Sequence, residues 1–310
     1  MNKKELEKIY RMSQKGLKNY AKQRLQKTYP SVICQDGFLF AKGTFPVLLV
    51  AHMDTVHKEL VKEIVYSNNG NVISSPQGVG GDDRNGVAMI FEVIKRYNCS
   101  VLLCEDEEIG CIGAGKFADS KLVNELEFNY IIEFDRANAN DAVFYSCAND
   151  EFEDFITKEF YKTNYGSYSD ICEIAPALGC AAVNLSCGYY MQHTKTEYVV
   201  LTEMEKSIEA ACKILERTTE NDKFEYIEEQ YGDMYDFGYV SYNYDTDEEG
   251  YIEENYYIVE YMDARGDTQW YDTIAISKAE AIGKFVMEFP DIPYGDVIDV
   301  CVQKDAYKYF

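Results

Sequence analysis

Two periodicities alternate along the first 220 residues. Residues 3 to 27 place Leu6, Ile9, Tyr10, Leu17, Tyr20 and Leu25 at helical spacing. The Tyr29-Pro30 pair then stops a helix, because the residue before proline is pushed out of the α region. This predicts one amphipathic helix followed by extended chain. SVIC, GFLFAKG and PVLLVAH read as strands. The unbroken apolar run Val47 to Ala51 predicts a strand buried on both faces, whose end delivers His52. KEIVYSNNGNVISS reads as a hairpin turning through Asn-Asn-Gly-Asn. In GVAMIFEVIKRY the apolar positions 87, 90, 91 and 94 form one helical face. SVLLCE and YIIEF are buried strands, and AVFYSC a further strand. A helix over 169–178, the strand CAAVNLSCG and the helix LTEMEKSIEAACKILERT complete the alternation.

Strands and helices taking turns in this way imply an α/β fold, a three-layer α/β/α sandwich with a mixed sheet. Beyond residue 220 the pattern changes to a tract rich in tyrosine and acid, FEYIEEQYGDMYDFGYVSYNYDTDEEGYIEE, where apolar residues are sparse. YYIVEYMD, TQWYDTIAI, SKAEAIGKFVMEFP and DVIDVCVQ then read as β-β-α-β, with Ser277 capping a helix that ends before Pro290. Residues 1–220 are therefore expected to form the main domain and 221–310 a small α+β module. No internal repeat is seen.

Composition narrows the partners. The chain has 310 residues, 46% of them hydrophobic, which is room for one full core and a smaller unit. Its 54 acidic and 30 basic residues give a net charge of −24. That field repels nucleic acid and anionic membrane surfaces, so neither is expected as a partner, and it favours cationic ligands. Excess carboxylate also serves simple solubility. Ten cysteines lie mostly in apolar runs without a C-x-x-C pair, and they read as free, buried thiols. The start of the chain lacks the apolar core of a secretion signal, and no run approaches the ~18 apolar residues of a membrane span. Together these predict a cytoplasmic protein.

The chemistry gathers where strands end. His52-Met53-Asp54, Gly80-Gly81-Asp82-Asp83, Glu105-Asp106-Glu107-Glu108, Asp135 and His193 each fall at a strand end or in the loop after it, which is where open α/β sheets hold ligands. Two neighbouring divalent ions need imidazole nitrogens, terminal carboxylates and one carboxylate able to bridge. Two of the three histidines in the chain sit in these clusters, and the third, His57, reads as a loop residue. Any one cluster is commonplace. Their ordered combination is not.

AHMDTV, GGDDRNG, EDEEIGCIGAG, EFDR and SCGYYMQHT resemble the five metal motifs of the co-catalytic dinuclear zinc exopeptidases, a superfamily that includes tripeptidase T and bacterial zinc aminopeptidases. The match runs from about residue 45 to 215. The resemblance implies that His52 and Asp135 hold one ion, Glu108 and His193 the other, and Asp82 bridges both. The ions would be zinc, with cobalt or manganese as alternatives, since a mixed nitrogen and oxygen set suits several metals. Asp54, two residues on from His52 and on the same face, would accept the other imidazole N–H and fix its tautomer. Glu107 would be the general base, acting on a water shared by the ions and then passing the proton to the leaving amine. The family often has a cis bond after the bridging aspartate, here Asp82-Asp83, with Gly80, Gly81 and Gly86 permitting the tight passage. Tyr189 and Tyr190 would wall the pocket or stabilise an oxyanion.

The chain departs from many relatives in that the intervals from Asp54 to Asp82 and from Asp135 to His193 are only 28 and 58 positions, too short for an inserted dimerisation domain. It is similar in this to the compact single-domain aminopeptidases. The module after residue 220 could act as a lid, an assembly surface or plain packing, and the oligomeric state stays open. The expected activity is that of an aminopeptidase or small-peptide hydrolase. One alternative is an amidohydrolase or deacylase of N-acyl amino acids. Another is a non-catalytic binding protein with structural metals, which an intact Glu107 argues against.

Overall fold

The opening run is two helices rather than one. In the computed structural model, α1 (Lys3–Tyr10) and α2 (Gln14–Leu25) are separated at Ser13, whose backbone is extended and whose hydroxyl accepts the Gly16 N–H. Apolar spacing continues across the break because both helices bury the same side, with Leu6, Ile9, Tyr10, Leu17, Ala21 and Leu25 all in the core. A serine cap therefore interrupts the helix without leaving a mark in the periodicity. The structure describes residues 2–158, 160–166, 168–227, 255–262, 268–275, 281, 284, 285, 289 and 297–302. They belong to two compact units, Met1–Gln230 and Tyr231–Phe310.

In the first unit the chain continues as β1 (Val32–Gln35), β2 (Phe38–Ala41), β3 (Phe45–His52), β4 (Val65–Tyr66), β5 (Val72–Ser74), α3 (Gly81–Val93), β6 (Cys99–Cys104), α4 (Ile112–Ala118), β7 (Tyr130–Arg136), β8 (Asp141–Val143), α5 (Asp150–Thr157), β9 (Lys162–Asn164), α6 (Ile171–Leu178), β10 (Ala182–Ser186), β11 (Tyr189–Tyr190), β12 (Tyr198–Val200) and α7 (Leu201–Arg217). The main sheet is mixed, in the order β1-β2-β6-β3-β7-β10-β8-β9. Its central strands β6, β3, β7 and β10 are mutually parallel, while β1 and β2 run antiparallel at one side. A second sheet, β11-β12-β5-β4, takes in the predicted hairpin as β4 and β5.

Burial alternates along the central strands as the pleat requires. Val47, Leu49, Ala51, Val101, Leu103, Ile132, Phe134, Val183 and Leu185 join the core that includes Leu6, Ile90 and Ile214 from α1, α3 and α7. Leu48, Val50, Leu102, Cys104, Ile131 and Ala182 join the opposite core with Phe117 of α4 and Ile174 of α6. Both faces are thus covered, which explains the unbroken apolar runs. Each fully buried leucine or valine contributes about 1.5–3 kcal/mol, so the two cores pin the register of β3 firmly. From β3 the chain crosses to β6 on one side and then to β7 on the other. That reversal leaves a crevice at the carboxyl ends of the three strands.

Several elements depart from the expectation. AVFYSC is a strand only to Val143, because Tyr145 and Ser146 adopt positive φ of 48° and 57°. The short helices α4 and α5 have no counterpart in the sequence reading. In α5 only Phe152 and Ile156 are buried, too few positions to register as a period. The cysteine reading also needs correcting. The nine cysteines whose side chains are described are all free, but Cys34 is exposed and Cys172 half-buried. Cys34 lies on β1, the edge strand of the main sheet, and Cys172 in the first turn of α6. Among the described residues no helix is long and apolar enough to cross a membrane.

In the second unit β13 (Asn255–Met262), β14 (Thr268–Ala275) and β15 (Val297–Val302) form an antiparallel sheet with β13 in the middle. Tyr257, Val259 and Tyr261 pack with Ala281 and Phe285. Of the helix expected between β14 and β15, Ala281, Lys284 and Phe285 are helical. Its proposed cap, Ser277, lies outside the described residues, as does 228–254 of the acidic tyrosine tract.

Gly86 shows how closely α3 rides on the sheet. A Cβ there would overlap the carbonyl oxygen of Phe134 in β7 and the carboxylate of Asp83. Gly86→Ala should therefore lower stability by about 1–3 kcal/mol. The check is a urea midpoint shift at unchanged slope, and an unshifted midpoint would show that the backbones separate at no cost.

Candidate metal centre

Every predicted ligand leaves the backbone at the crevice. His52 ends β3 with its ring fully buried, and Asp135 lies near the end of β7. Asp82 stands at the start of α3, Glu108 in the loop after β6, and His193, at φ 62°, in the turn between β11 and β12. The Asp82–Asp83 peptide is cis. His52, Asp82 and Asp135 present ligand atoms within 4.8 Å of one another, and so do Asp82, Glu108 and His193. Asp82 is common to both groups. Its Oδ1 lies 3.1 Å from His52 Nε2 and its Oδ2 3.1 Å from His193 Nε2. His52 Nε2 is also 3.3 Å from Asp135 Oδ1, and His193 Nε2 is 3.0 Å from Glu108 Oε2.

These residues fit a pair of cations better than they fit one another. His52 Nδ1 lies 3.2 Å from Asp54 Oδ1. With the ring proton there, the Nε2 lone pair faces two carboxylate oxygens, which is repulsive unless a positive charge sits between them. Glu108 Oε1 is buried and has no hydrogen-bond partner among the described residues, the kind of orphaned atom an ion would satisfy.

The proton affinities show the same deficit of positive charge. Burial alone would lower that of His52, yet Asp135 and Asp54 drive it well above the ordinary imidazole range. His193 is pushed up to about 11 by its hydrogen bonds to Asp82 and Glu108. Burial, with Asp82 adding to it, raises Asp135 to about 6. Glu107, whose Oε2 lies 3.9 Å from His52 Nε2, is held well above the carboxylate range, chiefly by burial. Shifts in these directions are what carboxylates crowded together without compensating positive charge produce.

Asp54 does more than orient His52. Its two oxygens accept the N–H groups of Glu107 and Glu108, both at 3.1 Å. Burial would raise its pKa, but His52 and these two amides outweigh that and keep it ionised. Asp106, at φ 61°, turns the loop between these residues and Glu105. Gln14 Nε2 donates to Asp106 Oδ1 at 2.9 Å, and Lys18 pairs with Glu105, so α2 holds the segment that carries Glu107 and Glu108.

A further set of residues was not singled out from the sequence. The Asn184 side-chain oxygen accepts the Asp135 N–H at 2.9 Å, and Ser169 Oγ lies 3.1 Å from Asp135 Oδ2. Glu197 is fully buried beside Gly80 and Asp82. His57 is in a loop, as read, with Nε2 2.8 Å from Glu197 Oε2. Tyr189 and Tyr190 part company. The Tyr189 hydroxyl donates to the Asp135 carbonyl at 2.8 Å, whereas Tyr190 donates to Glu203 and stacks on Tyr198. The first braces a ligand strand and the second lies off the centre.

Among solved structures the chain is similar to aminopeptidase PepT from Bacillus cereus, at 14% identity and TM-score 0.54 over 69% of this chain and 96% of that one. A tripeptidase from Staphylococcus aureus gives 13% and 0.54, over 68% and 95%. A TET aminopeptidase from a marine sediment thaumarchaeote gives 15% and 0.55, over 70% and 97%. The chain has the zinc-exopeptidase fold. No protein-family model and no curated protein matches the sequence. What the zinc-exopeptidase fold contributes is a scaffold, and the chemistry has to be argued from the side chains.

Because Asp54 serves both His52 and the 107–108 amides, Asp54→Ala should weaken metal binding about 10- to 100-fold. Competition against a chelating indicator measures this. Affinity equal to wild type would remove Asp54 from the centre.

Proposed function

We propose that this protein is a metal-dependent peptidase that releases residues from the amino ends of peptides. The observation that carries the reading is the pair of ligand groups sharing one buried aspartate, with the carboxyl of Glu107 alongside and outside both. His52 and Asp135 would hold one divalent ion, Glu108 and His193 the other, and Asp82 both. Zinc is the first choice, and cobalt or manganese also suits these donors. Bound there, such ions would polarise the scissile carbonyl and acidify a water at neutral pH.

The remaining work falls to side chains. Glu107 takes a proton from the attacking water and returns it to the leaving amine. Its burial favours the protonated form it must hold between the two steps. Asp54 fixes the His52 tautomer and the position of Glu107 through the latter's N–H. The acidic surroundings, in a chain of net charge −24, attract the ammonium group of a peptide amino terminus. That the similar structures are aminopeptidases and a tripeptidase supports this choice over an N-acyl substrate. Free thiols suit the reducing cytoplasm.

Two tests follow. Glu107→Gln should keep two ions by elemental mass spectrometry while kcat falls about 10²- to 10⁴-fold; full turnover in that variant would remove Glu107 from catalysis. On a mixed panel, wild type should cleave aminoacyl amides and short peptides with free amino termini. Cleavage confined to N-acyl amino acids would replace the peptidase reading with that of a deacylase, and fewer than one ion per chain with no turnover would leave a binding protein.

A further inference from the structure

Glu197 lies just before β12 with no exposed surface, yet among the described residues it makes no ion pair with lysine or arginine. Both its oxygens are engaged. Oε2 accepts the Gly80 N–H at 2.7 Å and lies 2.8 Å from His57 Nε2, and Oε1 accepts the Asp82 N–H at 3.0 Å. The two amides flank Gly81, so one carboxylate clasps the backbone immediately before the aspartate shared by both ligand groups.

The surrounding chain is shaped for this clasp. A Cβ on Gly81 would come within 2.8 Å of Val199 Cγ2, 2.9 Å of Tyr189 Cβ and 3.3 Å of Glu197 Oε1. Gly80 has φ 66°, in the left-handed region. On the far side, the His57 ring occupies the space where Gly78, at φ 86°, would otherwise carry a side chain. Side chains, the His57 imidazole among them, approach the backbone here at points where only glycine leaves room.

We propose that Glu197, held by His57, is a positioning residue that sets the bridging carboxylate of Asp82 through the Gly80 and Asp82 amides. The inference rests on the two-ion reading given above. Asp82 Oδ1 and Oδ2 face different imidazoles, each at 3.1 Å. A tilt of the 80–82 backbone therefore moves both oxygens together. Loss of an ordinary ligand empties one position, whereas loss of this clasp loosens two positions in parallel. Glutamine is close in size but offers one acceptor oxygen, and its NH2 would face an N–H donor. A carboxylate is thus required by these donors, not by volume.

The test is zinc titration of the full-length, metal-stripped chain by calorimetry, comparing wild type, Glu197→Gln, His57→Leu and His193→Ala. Glu197→Gln should still bind two ions, with both dissociation constants raised about 10- to 100-fold, and its cobalt-loaded form should show an altered visible absorption spectrum. His193→Ala should drop to one ion. His57→Leu keeps both amide bonds and removes the third partner, so both constants should rise roughly threefold to tenfold. It decides the matter if Glu197→Gln does not fold. Constants within about twofold of wild type and an unchanged cobalt spectrum, whatever the melting temperature, overturn the inference and leave Glu197 a packing residue. Wild type binding no zinc overturns the two-ion reading and this inference with it.

Discussion

Like charges crowded into a buried volume are the constraint around which this molecule is organised. Asp54, Asp82, Asp83, Glu107, Glu108 and Asp135 meet at the carboxyl ends of β3, β6 and β7 with His52 and His193 among them. Holding such a set out of water is unfavourable unless each charge is compensated. The compensation is divided in space. Outer carboxylates are met by backbone amides. Asp54 takes those of Glu107 and Glu108, Asp83 those of Gly86 and His52, and Glu197 those of Gly80 and Asp82. Inner carboxylates, Asp82, Asp135 and Glu108, face the imidazoles and one another. Fixed dipoles satisfy the outer ring, so the inner one is left for mobile charge.

The segment Gly80–Gly86 carries much of this arrangement, and successive residues reach different parts of the fold. Asp82 joins the two ligand groups and Asp83 caps the turn. The Arg84 guanidinium, buried and lowered to about 10 by that burial, donates to the carbonyls of Ile9, Met12 and Met53. Asn85 accepts from the Tyr10 hydroxyl at 2.6 Å and donates to the Cys187 carbonyl at 2.8 Å. Carbonyls at and just beyond the end of α1 are thus met by a side chain of α3. Breaking the opening helix at Ser13 makes those carbonyls available and swings α2 over to hold the 105–108 loop. Core packing and site geometry are here the same set of contacts.

This also explains what could be read from the sequence. Parallel strands buried on both faces are nearly pure apolar runs, so β3, β6, β7 and β10 stand out, and with them the polar residues at their ends. His52 and His193 are conspicuous because histidine is scarce in this chain. The break at Ser13 is hidden because the apolar stripe runs on through it, and α5 is hidden because two buried aromatic or aliphatic positions make no period. Glu197 is hidden for a different reason. It is one acid among 54, in a stretch that reads as polar loop, and its main partners are backbone amides, which are the same whatever the residue. Asn184 inside β10 is similar: its partner is the Asp135 N–H. Residues that act on side chains leave a compositional trace, and residues that act on backbone do not.

Shared architecture at 13–15% identity does not separate an enzyme from a protein that merely stores metal. Glu107 does bear on the difference. It belongs to neither ligand group, is buried among carboxylates that raise its proton affinity further, and sits in a loop fastened to Asp54 and α2. A structural ion site would be more stable with an apolar side chain in that place, because a buried acid next to other acids costs free energy and returns none. The centre is also open on one side only: His52 has no exposed surface, whereas the His193 side chain is 55% exposed. One ligand group is built into the sheet and the other is presented on a turn at the surface. An acid kept at a cost, beside a centre that opens outward, is what substrate chemistry requires and metal storage does not.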